Sequence, residues 1–374
     1  MRDEQADCSS TDSASRREII GALGSAGVVA TAGCLGGQSS DGGGSSDGGD
    51  SETLNAAFVY DGRIGDQGWI YSHNEGRLAA EEEFDWLETS FQEDVSPEES
   101  ERVMDDFAQA GNDVIFATSV TFADAVENAA DRNPDTLFET GNGFDQGENL
   151  SGYSVRYYQA RYCCGVAAGM VTETDRIGFI GAVPVPLTFR DINSFALGAQ
   201  SVNPDITVVP TLTNTFYAPQ DATSIVADFA NDDIDVIATN LDSTATVSAC
   251  NDNDVFGCGR DSSQSEAGGE MYLTSALSEW GDIYTSLSED VYEDTWENDP
   301  IWHGFEEDGV ALDDFGPNVP DDAVDAALEA RDGIVSGDVD VWAGSKFEGQ
   351  SEAPAGEIRT NMTEYVDAVE GEAP

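Results

Sequence analysis

Arg176-Ile-Gly-Phe-Ile-Gly181 is a short apolar run that predicts a buried strand. Apolar residues at helical spacing follow it, at Ile192, Phe195, Ala196 and Ala199. Further runs that predict strands are Leu54–Tyr60, Trp86–Gln92, Asp113–Thr118, Thr136–Thr140, Ile206–Leu212, Ile234–Thr239 and Val255–Cys258. Because strands that alternate with helices form parallel sheets, the chain is predicted to have an α/β fold of the doubly wound kind.

So many strands exceed one ordinary sheet, so two such lobes are expected, with a ligand cleft at the carboxyl ends of their strands. Tyr157–Val171 is apolar nearly all round and predicts a buried crossover helix between the lobes. The expected division is a first lobe of residues 53–160 plus about 281–345, a second lobe of residues 161–280, and an acidic C-terminal tail of residues 346–374.

The N-terminus is predicted to be a targeting segment. Arg16-Arg17 precedes an apolar stretch of about 14 residues, which is too short to span a membrane and is typical of a twin-arginine signal peptide. Thr31-Ala-Gly-Cys34 resembles a lipobox, so residues 1–34 predict a signal that ends at Cys34 as the lipidation site. A chance arginine pair before an Ala/Gly coil is the alternative. Residues 35–52, rich in Gly, Ser and Asp, predict a flexible tether to the outer face of the cell membrane.

The charge of the chain excludes several classes of partner. Its 374 residues include 74 acidic and 15 basic ones, for a net charge of −59, and Lys346 is the single lysine. Such a surface repels nucleic-acid phosphates and anionic lipid. We interpret the acidity as adaptation to molar salt, where the Debye length falls to about 3 Å and like charges become tolerable.

Fingerprints of catalysis and of cofactors are missing from the sequence. It has no GxGxxG motif after the first strand, no P-loop, no GxSxG elbow and no Cys/His spacing for zinc, and only two histidines. Pairs of Asp and Glu residues do not identify a catalytic site here, because they occur throughout so acidic a chain. No cofactor, no metal and no enzymatic activity are therefore expected.

One loop combines glycines with an aromatic residue at the expected cleft. Asp61-Gly-Arg-Ile-Gly-Asp-Gln-Gly-Trp69 follows the first strand, and Asp66 can bond the amides of its own loop. Trp69 is predicted to face the cleft, where its ring suits a flat ligand; a place in the core is the alternative.

The sequence allows more than one state for some of the remaining cysteines and for two possible glycosylation sites. Cys163 and Cys164 are interpreted as small buried apolar residues, whereas Cys250 and Cys258 either pair as a disulfide or stay free. Asn149-Leu-Ser and Asn361-Met-Thr are sequons that an exported protein could use.

The ordered motifs of the chain resemble the basic membrane protein family, the purine-nucleoside-receptor-like solute-binding lipoproteins of ABC transporters. The matching segments are Gly65–Trp69, Gly111–Phe116 with Phe122–Ala125, Arg161–Gly169, Arg176–Phe179, Asn193–Phe195, Asn214–Phe216, Thr239–Asp242, Gly259–Asp261 and Tyr272–Ser275 with Trp280. They cover about residues 54–345.

This resemblance implies a type I periplasmic-binding-protein fold that closes on a purine base or nucleoside between two aromatic rings. Carried over by position, Trp69 and Phe216 would stack on the ligand, Asp124 would bind the base and Asp261 the ribose hydroxyls. Asp242, Asp66 and Trp280 are further ligand-binding candidates. The implied partners are the small-molecule ligand, the permease subunits of an ABC importer, and the membrane through the lipid anchor.

The sequence also departs from the family pattern. Ile70 stands where many relatives have a base-contacting asparagine, and no lysine lies near residues 278–280 to face a sugar. These departures favour a free base such as adenine. The alternatives are a binding protein for a sugar or another polar solute, a sensory module on the same fold, and a secreted nucleoside hydrolase, which would need an acidic metal loop.

Overall fold

The computed structural model describes residues 53–65, 67–143 and 146–374. These residues form two six-stranded sheets. The first contains β1 (Leu54–Val59), β2 (Leu87–Gln92), β3 (Val114–Ala117), β4 (Leu137–Gly141), β5 (Leu150–Val155) and β11 (Ile301–His303). The second contains β6 (Arg176–Gly181), β7 (Thr207–Leu212), β8 (Val236–Thr239), β9 (Phe256–Asp261), β10 (Tyr272–Ser278) and β12 (Val310–Leu312).

Helices connect most of these strands. They are α1 (Trp69–Glu83), α2 (Pro97–Gln109), α3 (Ala123–Arg132), α4 (Tyr157–Val171), α5 (Pro186–Val202), α6 (Pro219–Asn231), α7 (Ala245–Asp252), α8 (Ser265–Gly268), α9 (Trp280–Tyr292), α10 (Asp321–Ser336) and α11 (Glu357–Thr360). None of the helices in the described ranges is long and apolar enough to cross a bilayer.

The strand orders are β11-β5-β4-β3-β1-β2 and β12-β10-β9-β8-β6-β7, with every pair parallel except β10 and β12. Both orders reverse beside the first strand of each lobe, as in doubly wound sheets. Helices cover both faces of each sheet. In β1, for example, Phe58 packs on one side and Val59 in a separate cluster on the other. The predicted pair of doubly wound α/β lobes is confirmed.

The connections between the lobes lie side by side. Arg156, between β5 and α4, donates its amide to the carbonyl oxygen of His303 at 2.6 Å. Glu279, between β10 and α9, donates its amide N–H to the carbonyl oxygen of Gly309 at 3.0 Å. These contacts bring three crossings of the chain together, at residues 156, 279 and 304–309.

The crossover helix α4 packs closely on α5. A Cβ added at Gly165 would lie 2.0 Å from the carbonyl oxygen of Phe195, and one at Gly198 would lie 2.0 Å from that of Tyr162. Glycine is therefore required where the two backbones meet. The buried location expected for Cys163 and Cys164 on α4 is confirmed.

Strands β5, β10, β11 and β12 were not predicted from the sequence. Strands β5 and β10 contain Ser, Thr or Gly among their apolar residues, yet most of their side chains are buried. Their hydroxyls are satisfied locally: Ser154 donates to Asn142 at 2.6 Å, and Thr274 donates to the carbonyl oxygen of Asp313 at 2.8 Å. Hydropathy cannot detect strands whose polar groups find partners in the fold.

The end of the chain is arranged differently from the expected division. Strand β12 pairs with β10, and α10 packs on the crossover helix α4 and buries Ala323, Ala327 and Ile334. Residues 346–374 are also packed rather than a free tail. Val208 in the edge strand β7 donates its amide to Ala368 at 2.9 Å, and the Asn193 amide side chain donates to the carbonyl oxygen of Glu364 at 2.8 Å. The segment covers an otherwise open sheet edge.

Several predictions fall outside the described residues, namely the signal segment with Cys34, the tether at residues 35–52, and Asp66.

Candidate ligand-binding cleft

The candidate cleft lies where each strand order reverses. In the first lobe this point is between β1 and β3, and Trp69 joins the two by donating its indole N–H to the carbonyl oxygen of Thr118 at 3.1 Å. In the second lobe it is between β6 and β8, where the Asn240 side chain accepts from the amide of Ala182 at 2.8 Å. Ligands of doubly wound proteins bind at such points.

Trp69 is half-buried at the start of α1. Gly68 precedes it with a φ of 97°, a conformation that favours glycine and lets the chain turn sharply into the helix. The indole makes edge contacts with His73 and Trp280, at centroid distances of 4.3 and 5.2 Å. The ring therefore has a fixed orientation at the cleft.

Behind Trp69 lies an aromatic layer that we call the aromatic backing, formed by His73, Tyr153, Trp280 and Tyr284. Trp280, a predicted ligand-binding residue, is 1% exposed; it stacks on His73 at 4.2 Å and donates its N–H to Ser72 at 3.2 Å. The layer also contains the pair His73 Nδ1···Tyr284 Oη, at 2.5 Å. Burial lowers the pKa of His73 well below its usual 6.5, so the imidazole is neutral.

The two lobes meet at Gly68. A Cβ added there would lie 3.5 Å from the backbone of Asp242, whose amide donates to the carbonyl oxygen of Phe216 at 2.8 Å. The loops that carry Trp69, Asp242 and Phe216 are thereby brought together. Phe216 is half-buried against the core of the second lobe, while its neighbour Tyr217 is 67% exposed.

Asp242 has an unusual environment for a carboxylate. Its Oδ1 atom is buried and has no hydrogen-bond partner among the described residues. Burial raises the pKa of Asp242 to about 7; Arg260 opposes that rise, and the negative charges of Asp261 and Asp61 add to it. Because Asp61 belongs to the first lobe, this repulsion acts across the cleft.

Asp261 ends β9 and is buried. Arg260 binds its carboxylate with Nε at 2.7 Å and with its second nitrogen at 3.2 Å, and Ser278 donates to it at 3.4 Å. Its φ of 62° is rare for a residue other than glycine. Asp124, by contrast, is exposed in the first turn of α3 and takes no part in these contacts.

Some groups at the cleft were given no role from the sequence. Tyr157 and Arg260 contact Asp261, and Arg161 donates to the carbonyl oxygen of Gly259, two residues before it. Tyr217 is exposed beside Phe216. The sequence did contain one signal for this group, namely Arg161 within the apolar run Tyr157–Val171. A charged side chain that is buried with such a helix needs polar partners nearby, so its presence indicates a polar cluster. Within the described parts of the chain, no group of His, Cys, Asp and Glu is arranged to hold a metal ion.

The open questions about cysteines and sequons have structural answers. Cys250 and Cys258 are both free and buried. A Cβ at Gly257 would touch the Cβ of Cys250 at 3.0 Å, whereas Cys258 points to the other face of the sheet, towards Arg161. Adjacent strand residues face opposite ways, so the disulfide alternative is wrong.

The two sequons differ in exposure. Asn149 is 8% exposed and its side-chain amide donates to three carbonyl oxygens, whereas Asn361 is exposed.

Comparison with known proteins identifies relatives across most of the chain. A family model described as "ABC transporter substrate-binding protein PnrA-like" matches residues 53–343. A putative ABC transporter glucose-binding protein of Haloferax volcanii is 40% identical over 87% of this chain and 82% of its own length. A purine-binding protein of Brucella abortus is 34% identical over 83% of this chain and 90% of its own length.

Solved structures agree on the fold. An ABC transporter solute-binding protein from Aeropyrum pernix superposes with a TM-score of 0.67 at 17% identity, covering 77% of this chain and 92% of that chain. The two lobes have the type I periplasmic-binding-protein fold.

Proposed function

This chain belongs to the basic membrane protein family of ABC transporter substrate-binding proteins, and we propose that it captures a purine base or purine nucleoside, with adenine-like ligands favoured. The family consists of substrate-binding proteins rather than enzymes. In this proposal the loaded protein delivers its ligand to the permease of an importer. Lipidation of Cys34 after twin-arginine export would hold it at the outer face of the membrane.

The observation that carries the purine proposal is that two loops, one from each lobe and each with an aromatic residue, lie together at the cleft. Trp69 is fixed at the cleft by its bond to Thr118, and Phe216 follows β7 in the other lobe. Gly68 lies close to Asp242, which brings the two loops near each other across the cleft. Two rings that approach from opposite lobes suit a flat heteroaromatic base, because stacking uses both of its faces.

Acidic groups supply acceptors for the N–H and O–H groups of such a ligand. The unpartnered Oδ1 of Asp242 is the best placed of them. Asp261, Asp124 and Asp66 remain candidates by position. Trp280 would act indirectly, since it lies behind Trp69 rather than in front of it.

A sugar is the second candidate. The relative with 40% identity is named as glucose-binding, and sugar sites also combine an aromatic platform with acidic residues. A sugar would use Trp69 as a platform, with Asp242 and Asp261 as hydroxyl acceptors, and would not need Phe216.

The test is a calorimetric titration of adenine, adenosine, guanosine, glucose and ribose in molar KCl, repeated on Trp69→Ala and Phe216→Ala. For a purine ligand both variants should lose roughly 10- to 100-fold in affinity, as one base–aromatic stack is lost. The matched control is Trp86→Ala, which removes a half-buried tryptophan stacked on Tyr292 away from the cleft. Unfolding measured on the same samples separates lost stability from lost binding.

Undiminished purine affinity in both cleft variants would disprove the aromatic sandwich. Tight glucose binding without purine binding, weakened by Trp69→Ala alone, would establish the sugar candidate instead.

A further inference from the structure

We infer that Tyr157 is a positioning residue that, with Arg161 and Arg260, sets the conformation of the second lobe's cleft loops. These three residues are called the tyrosine–arginine clamp below. The inference rests on the proposed function in one respect, that Asp261 and Asp242 face the ligand.

The Tyr157 hydroxyl joins two strand ends. It donates to the carbonyl oxygen of Ala276 in β10 at 2.8 Å and accepts from the amide of Asp261 in β9 at 2.9 Å. Asp261 has a φ of 62°, so its amide bond helps to hold a conformation that an acidic residue seldom adopts. Burial raises the pKa of Tyr157 well above its usual 10, which keeps the hydroxyl a donor.

The two arginines extend the connection to β8. Arg161, one turn beyond Tyr157 on α4, donates to the carbonyl oxygen of Gly259 at 3.0 Å and to that of Thr239. Arg260 donates to the carbonyl oxygen of Asn240 at 2.6 Å. Both guanidinium groups lie over the Tyr157 ring, at 5.1 and 5.4 Å from its centroid, so the ring also positions the charges.

The clamp therefore fixes the carboxyl ends of β8, β9 and β10 to one helix. That helix begins directly after the crossing at Arg156, where the chain enters the second lobe. The loops with Asp242 and Asp261 are thus held from the side of the cleft where the chain crosses between the lobes. Hydrogen bonds to buried carbonyl groups are costly to leave unmade, which gives the clamp its stiffness.

The experiment compares Tyr157→Phe with Tyr158→Phe. Both variants remove one buried phenol hydroxyl from neighbouring positions of α4, but Tyr158 donates to Glu352 at 2.6 Å, away from the cleft. Amide hydrogen exchange of residues 257–262 is measured without ligand, and adenosine affinity is measured by calorimetry in molar KCl.

Tyr157→Phe should speed exchange of the Asp261 amide about tenfold and weaken adenosine binding about tenfold, which is the effect of one lost buried hydrogen bond. Tyr158→Phe should leave both values within about twofold, whatever it does to the melting temperature. Equal exchange in the two variants, or faster exchange without weaker binding, would overturn the inference. If the wild-type protein binds adenine rather than adenosine, the affinity comparison is made with adenine. If it binds neither, the proposed purine function fails, and the exchange comparison alone decides whether the clamp exists.

Discussion

The two lobes share one strand order, but the side chains behind the cleft differ in chemistry between them. The first lobe has the aromatic backing, whose one imidazole is neutral because burial lowers the pKa of His73. The second lobe has a charged backing, formed by Arg161, Asp191, Arg260 and Asp261. The comparison shows that a fold fixes where a cleft forms without fixing the chemistry that supports it.

The charged backing is notable in a chain with only 15 basic residues. Arg161 and Arg260 are buried, and so is Asp191, whose carboxylate oxygens have no hydrogen-bond partner among the described residues. Burial raises the pKa of Asp191, while the nearby arginines oppose the rise. Burying arginines also leaves the surface more acidic. Screening by salt should thus stabilise the surface but affect this interior little.

The largest expected effect is on the charged backing. Arg260→Met removes the partner of Asp261 and leaves a buried carboxylate uncompensated, which should cost about 3–5 kcal/mol of unfolding free energy. Chemical denaturation in molar KCl measures the loss. More salt should not restore the stability, because the pair is buried.

The matched variant for this test is the double change Arg260→Met with Asp261→Asn, which removes both charges. It should recover part of the loss, and a double-mutant cycle gives the coupling energy. If the double variant is no more stable than Arg260→Met, the charge pair is not what makes the arginine important.

A second prediction uses Glu139, which borders the aromatic backing and accepts from the Trp296 indole at 2.7 Å. Burial raises the pKa of Glu139 from 4.5 to about 8. Between these values the folded protein keeps a proton that the unfolded chain releases, so the unfolding free energy falls as pH rises and levels off above pH 8. Glu139→Gln should remove up to about 1.4 kcal/mol of this fall per pH unit.

Urea denaturation at pH 5, 6, 7 and 8 in constant KCl measures that slope. Glu88→Gln, at an exposed position of β2, is the control and should leave it unchanged. An identical slope in wild type and Glu139→Gln would mean that Glu139 is ionised in the folded protein.

The smallest effect is expected within the aromatic backing. His73→Phe removes the hydrogen bond to Tyr284 but keeps a ring against Trp280, so it should cost only about 1 kcal/mol. Tyr284→Phe also loses the contact with Tyr153 at 2.9 Å and should cost more. A loss above about 3 kcal/mol for His73→Phe, measured by denaturation, would contradict the view that ring packing dominates this lobe.

Local sequence patterns predicted the helices and strands well where a segment is mostly apolar. Arg176–Gly181 and Tyr157–Val171 have the same bounds in the structure, because both segments are mostly apolar and have few alternatives to burial. The candidate site was predicted in part. Trp69 could be placed because it follows a strand and a glycine-rich loop, whereas the roles of Tyr157 and Arg161 depend on strands that lie far along the chain.

The sequence by itself determined the fold class, the number of lobes and the place of the cleft, since these follow from short periodic patterns and from the rule for parallel strands. Tertiary structure decided which residues meet there. His73 contacts Tyr284 across 211 positions, Tyr157 contacts Asp261 across 104, and Gly68 reaches Asp242 from the other lobe. Such pairs leave no local signal, because their free energy arises only when distant segments are packed and water is excluded.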